Sequence, residues 1–418
     1  MKKILAMLLA LVMVMGLVAC GGNDAPETTG TPVETNPTET NGTPVESDPV
    51  VSDVEYKIAM ITDYGDITDQ SFNQTTYEAV KAFAEANGIK YNYYKPSGDS
   101  TAERVAMVDA AIVDGYNVIV MPGFAFGGTI AEVSEMYPEI KFIALDVAKG
   151  DLLEAGVALA GESYDYNPDN WNLTDYIYMD NVYSAVYQEE LSGYMAGVAA
   201  VKLGYKHLGY LGGMAVPAVQ RFGYGFLQGV DAAAKELGIV SEIKVEYVYG
   251  NQFYGDADIT AVMDTWYGEK GVECVFACGG GIWTSAAEAA AKVGGKVIGV
   301  DVDQAAIIDG LYGEGMTITS AMKGLAPTVQ NVLTDIVLKD NWAAYAGKIE
   351  TLGLISADPE ANYVQIPMAT TQFADTFTAE DYKALVAGMF EGTIVVSSDI
   401  SAFPTTEVAV EQYANIKG

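Results

Sequence analysis

Short apolar runs recur at 58–62, 91–94, 118–121 and 142–145, and again at 208–211, 245–249, 274–278, 297–300 and 317–320. Runs this short, apolar on both faces, suit strands buried on either side, and the stretches between them have the period and length of helices. Strand and helix in alternation predict parallel sheets with right-handed crossovers. The pattern falls into two series, which predicts two doubly wound α/β lobes.

One βα unit occurs in both series. The stretch 57–89, KIAMITDYGDITDQSFNQTTYEAVKAFAEANGI, lies without a gap on 207–239, HLGYLGGMAVPAVQRFGYGFLQGVDAAAKELGI. Phe72 then falls on Phe222, Val80 on Val230, Ala84 on Ala234 and Gly88 on Gly238. A βα unit cannot bury its own apolar face, so each copy should open a lobe of its own. Phe72 and Phe222 are placed in the first turn of the first helix, beyond the carboxyl end of the first strand, where open parallel sheets bind ligands. The pair reads as an aromatic on either wall of a cleft, or else as helix packing.

Two stretches break the rhythm. The segment 150–181, rich in Tyr, Asp and Asn, reads as a long surface loop or a lid. At the amino end, Lys2 and Lys3 precede an apolar run over 4–18, too short for comfortable membrane spanning but suited to a secretory signal. Leu17-Val18-Ala19-Cys20, followed by Gly21 and Gly22, resembles a lipobox and predicts a lipid on Cys20; the alternative is an ordinary signal peptide with an incidental cysteine. From 21 to 53 the chain has no aromatic, Lys or Arg, which predicts a disordered tether with a reach of about 30 Å.

Charge and rare residues narrow the chemistry. With 56 acidic against 22 basic residues the net charge is −34, which excludes nucleic acid as a partner. Asp63, Asp66 and Asp69 stand beside a predicted helix N-terminus and cancel its preference for anions, so neutral polyhydroxylated or cationic ligands fit better. These carboxylates lack the spacing of an EF-hand, and no metal or cofactor is expected. His207 is the only histidine, which weighs against a His-based triad or a zinc site. Cys274 and Cys278, four apart on one predicted strand, are too far separated for a disulfide and read as buried thiols. The polar groups that remain gather at strand ends: Asp146 after FIAL, Gly279-Gly280-Gly281 after VFAC, Asp301 and Asp303 after VIGV, and Lys323 after TSAM. Singly, each is as well explained by a helix cap or a tight turn. Together they stand where a cleft ligand would accept and donate hydrogen bonds.

The stretches TDQSFNQ, EELSGYMAGVAA, GYLGGMAVPAVQRFGYGFLQGV, GVDVDQ and TSAMKG resemble the basic membrane protein lipoproteins, the PnrA-like substrate-binding proteins of ABC importers. The resemblance covers most of 57–334. It implies the type I periplasmic-binding-protein fold, two doubly wound parallel-sheet lobes joined by a hinge. With a signal peptide at 1–19 and a tether at 20–53, it assigns 54–180 plus about 324–350 to the N-terminal lobe and 181–323 plus about 351–418 to the C-terminal lobe.

It implies a non-enzymatic receptor, outside the cytoplasm and anchored by lipid, that passes purine nucleosides such as adenosine, guanosine or inosine to a permease and its ATPase. Phe72 and Phe222 would sandwich the base, Asp146 would read its edge, and Asp63, Asn73, Gly279, Asp301 and Lys323 would surround the ribose. The alternatives are a sugar or autoinducer receptor of the same fold, a sensor that signals without transport, and a nucleoside-hydrolysing surface enzyme. Ile282-Trp283 and the long 150–181 segment depart from the family's pattern, and both are expected to reshape the pocket.

Overall fold

The computed structural model describes residues 54–418. The expected signal peptide, lipidated Cys20 and tether lie outside the described residues. In chain order the strands are β1 (Lys57–Ile61), β2 (Lys90–Tyr94), β3 (Val118–Pro122), β4 (Lys141–Leu145), β5 (Val182–Tyr187), β6 (His207–Gly212), β7 (Lys244–Tyr249), β8 (Cys274–Cys278), β9 (Lys296–Asp301), β10 (Thr317–Lys323), β11 (Lys348–Leu352), β12 (Val364–Gln365) and β13 (Ala409–Gln412).

They form two sheets, ordered β11-β5-β4-β3-β1-β2 and β12-β10-β9-β8-β6-β7-β13. The cores β5-β4-β3-β1-β2 and β10-β9-β8-β6-β7 have the same order and are wholly parallel, so the repeat seen in sequence extends over five strands of each lobe. Alternation along β1 shows why both faces are apolar: Ile58 and Met60 pack with Val80, Phe83 and Leu145 on one side, Ala59 and Ile61 with Val108, Ile119 and Phe142 on the other. Each of the larger of these side chains, Ile, Val, Leu, Met or Phe, contributes about 1.5–3 kcal/mol from removal of apolar surface from water.

Two expectations are corrected. The stretch 182–187 is not among the expected strands and falls within the range given to the C-terminal lobe, yet it forms β5, buried along its whole length, and pairs with β4 in the first sheet. The segment 150–181 is not loop throughout: Lys149–Leu159 is a helix that buries Leu152, Leu153 and Val157, and it supplies the crossover from β4 to β5.

Three segments cross between the lobes and are tied to one another. Gln188 N–H donates to the Leu352 carbonyl at 3.0 Å, Gly324 N–H to the Tyr363 carbonyl at 2.7 Å, and Tyr363 N–H to the Gly353 carbonyl at 3.1 Å. Beyond the first crossing, helix Glu189–Lys202 lies against helix Pro217–Leu237 closely enough that a Cβ on Gly225 would stand 2.0 Å from the Glu190 carbonyl oxygen.

Candidate functional site

The carboxyl ends of both sheets face one cavity, lined by residues of both lobes. All eight ligand residues expected from the sequence line it: Asp63, Phe72, Asn73, Asp146, Phe222, Gly279, Asp301 and Lys323. The repeat explains the convergence. Asp146 follows β4 and Asp301 ends β9, the fourth strand of each lobe, and both adopt left-handed backbone, with φ of 60° and 66°. Gly123 after β3 and Gly279 after β8 are likewise equivalent, with φ of 126° and 150°, values that L side chains rarely adopt.

Helix Phe72–Asn87 follows Ser71, whose own side chain makes no cap hydrogen bond, and the Asp69 carboxylate takes that place. It accepts from Ser71 N–H at 2.9 Å, Asn73 N–H at 2.9 Å and Gln74 N–H at 3.0 Å. The donors that would hold an external anion are thus already satisfied by a carboxylate of the chain. Asp66 turns away to pair with Lys95. Asp63 accepts from Gly65 N–H and from the Asn73 amide, each at 3.1 Å. Burial raises the Asp63 carboxyl above its ordinary range despite those bonds, and pushes Asp69 up to about 6. Because the Asn73 amide nitrogen donates to two carboxylates, its oxygen is turned elsewhere, and that oxygen is buried without a partner.

At the centre lies the Lys323 ammonium. It is paired with Asp146, stands 3.6 Å from Asp301 and 3.6 Å from Glu189, and sits 4.6 Å from the ring centroid of Phe72 and 5.6 Å from that of Phe222. Burial alone would lower its pKa, but the three carboxylates hold it above the ordinary lysine value. Burial pushes Asp146 up to about 6, against the pull of Lys323 and with the repulsion of Glu189 and Asp301 added. One oxygen of Asp146 is buried without a hydrogen-bond partner.

The two phenylalanines are not equivalent in depth. Phe72 is the first residue of its helix and half-buried, whereas Phe222 is 1% exposed, lies a turn further into a helix that begins at Pro217, and meets Phe276 edge-on at 6.0 Å. Phe222 is therefore a core residue that also faces the cavity.

Sequence reasoning missed Arg221, Phe124 and Phe253, which also line the cavity. Arg221 is held by Glu189 at 2.6 Å; both residues lie within motifs singled out above, but nothing in their spacing announced the pair. Gly123 was recoverable from its equivalence to Gly279. Ile282 and Trp283, expected to reshape the pocket, do not line it: they are buried in the core beneath β8, with Ile282 packed toward Ile259 and Met263. No residue of 150–181 lines the cavity either.

Two similar α/β lobes around a cavity of aromatic rings and inward-facing polar groups define a solute-binding protein of the type I periplasmic class. The chain belongs to the Bmp family, described as ABC transporter substrate-binding protein PnrA-like, whose model matches residues 56–358. It is 26% identical over 317 residues to the ABC transporter nucleoside-binding protein BmpA of Lactococcus lactis, covering 72% of this chain and 74% of that protein. It is 28% identical over 306 residues to basic membrane protein B of Borreliella afzelii, covering 71% and 78%. Among solved structures, an ABC transporter solute-binding protein of Aeropyrum pernix superposes with a TM-score of 0.58 at 21% identity, covering 81% of this chain and 87% of that one. Membership implies a small-molecule ligand and a permease to receive it. Relatives also include proteins of two Pyrococcus species named as lipoproteins.

Proposed function

We propose that this chain is a lipid-anchored receptor that binds a purine nucleoside in the interlobe cavity and delivers it to an ABC permease and its ATPase. One observation carries the reading: a cavity with Phe72 and Phe222 on its walls also holds buried acceptors, on Asn73 and Asp146, that no group of the described residues satisfies. An unpaired buried acceptor costs about 1–3 kcal/mol, so the preferred ligand is one that brings donors to these atoms and a flat face to the rings. A nucleoside has both, a free base lacks the hydroxyls, and a sugar lacks the face. Asp301 and Lys323 are assigned to the ribose, Asp146 to the base edge, and Asp63, Asn73 and Gly279 to the remaining hydroxyls. A nucleoside phosphate is disfavoured, because Asp69 occupies the helix N-terminus that would hold it. Names support the ligand too, since the Lactococcus relative is called nucleoside-binding. Anchoring through Cys20 and residence outside the cytoplasm rest on the lipobox and on the lipoprotein relatives.

The test is a thermal-shift panel of nucleosides, free bases, sugars and nucleoside monophosphates. A ligand at about 100 times its dissociation constant adds about 2.7 kcal/mol of stability, a shift easily read. Adenosine, guanosine or inosine should raise the melting temperature more than their bases, ribose or monophosphates. A sugar that alone raises it would overturn the proposal.

A further inference from the structure

The ligand residues do not account for the contact that two of the motifs make with each other. TDQSFNQ of the first lobe and GVDVDQ of the second meet across the cleft. Ser71 Oγ donates to Asp301 Oδ2 at 2.6 Å, and the Gln304 side-chain amide donates to the Gln70 carbonyl at 3.0 Å. Ser71 and Gln304 are both fully buried, and neither lines the cavity. Each is built for the contact. Gln304 is braced by its own lobe, since its side-chain oxygen accepts from Val300 N–H at 2.9 Å and its backbone N–H donates to Ser320 Oγ at 3.1 Å. Gln70 takes a left-handed backbone, φ 56°, beside Ser71, whose N–H is held by Asp69. The partner of Ser71 is the left-handed Asp301, a carboxylate of the cavity itself.

We infer that Ser71 and Gln304 form an interlobe clasp that biases the protein toward closure and sets the orientation of Asp301. Every atom of the clasp belongs to the chain, so closure does not wait for a ligand. Ser71 is a positioning residue: it acts on the ligand only through Asp301, whose second oxygen stands 3.6 Å from the Lys323 ammonium. Because Ser71 lies in one lobe and Asp301 in the other, this orientation exists only in the closed form. Ligand affinity is then scaled by the closed fraction, equally for every ligand that needs closure. This rests on the reading of the chain as a receptor that closes over its ligand, but not on the ligand being a nucleoside.

The experiment measures the interlobe distance in the ligand-free protein, with spin labels on Val113→Cys in the first lobe and Val293→Cys in the second, both exposed. The wild-type background should show a closed population without ligand. Ser71→Ala should cut the closed-to-open ratio about tenfold, the effect of losing one hydrogen bond to a carboxylate. Ser71→Thr, which keeps the hydroxyl, should restore it, and Gln304→Met should open the protein in the same direction as Ser71→Ala. A wild-type protein that is open throughout, or a Ser71→Ala distribution identical to wild type, would overturn the clasp. If the distances shift as expected while no nucleoside binds, the clasp stands and the nucleoside assignment falls.

Discussion

At the scale of single residues, Phe72 and Phe222 carry different loads. Phe72→Ala removes a stacking platform and little of the core, so nucleoside affinity should fall about 5- to 150-fold, the equivalent of 1–3 kcal/mol, with the melting temperature nearly kept. Phe222→Ala also empties space beside Phe276, and a buried Phe→Ala costs about 3–5 kcal/mol of stability. Calorimetry and thermal melts on the two variants separate these effects. A Phe72→Ala protein that binds like wild type would return Phe72 to helix packing.

The buried acids make a prediction about pH. Burial pushes Asp69 and Asp146 up to about 6 and Asp151 and Glu190 up to about 7. Each holds its proton more tightly folded than unfolded, so each lowers stability as pH rises through the window between the ordinary carboxylate value and its own. Glu246 works the other way. Despite burial, Lys244, Tyr413 and His207 hold it down near 2, and its contribution, present above the ordinary Glu value, is lost as pH falls toward that figure. Above the ordinary carboxylate value Glu246 and the other depressed acids, such as Asp256, have contributed in full, whereas the raised acids go on losing stability, so the melting temperature of the ligand-free protein should fall between about pH 5 and 7. A melting temperature that climbs steadily from pH 5 to 8 would contradict these environments.

Among the elements, the helix pair Glu189–Lys202 and Pro217–Leu237 shows what part of the family motifs is for. Gly193 and Gly197 face the Phe222 and Phe226 carbonyls, and Gly225 and Gly229 face those of Glu190 and Tyr194, so SGYMAG and GYGFLQG are packing surfaces. In an open helix Gly→Ala gains about 1 kcal/mol of propensity, but here a methyl meets backbone that cannot turn aside, an overpacking cost of about 1–3 kcal/mol. Gly225→Ala should therefore lower the melting temperature, and a rise would show that the helices separate freely.

Most strands of the two parallel cores were legible because both faces of each are apolar, whereas the half-exposed edge strands β11 and β13 and the two-residue β12 were not, and the cavity acids Asp63, Asp146 and Asp301 were legible because they follow or close strands. β5 was missed altogether, because Tyr183, Ser184 and Tyr187 interrupt its apolar pattern, VYSAVY. Ile282-Trp283 misled because a departure from the family's residues after the glycines suggested a reshaped pocket, yet the turn directs both into the core. The aromatic repeat placed Phe72 and Phe222 on one cavity but hid their difference in depth, because helix Pro217–Leu237 begins several residues earlier than its counterpart. The Glu189–Arg221 pair joins residues from two helices, a contact that no local pattern encodes.

For the whole molecule, the duplicated lobes bring one carboxylate each, Asp146 and Asp301, to the same ammonium, and one aromatic each to the same cavity. The hinge crossings lie beside this centre, since β10 ends in Lys323 and Gly324 begins a crossing. A ligand that engages both lobes therefore acts directly on the closed state. The most direct measurement is a crystal structure of the mature protein with inosine. The base is expected between Phe72 and Phe222, with ribose hydroxyls on Asp301 and Lys323 and a base-edge donor on Asp146. Inosine bound away from these residues, or a cavity that stays empty at saturating inosine, would contradict the account.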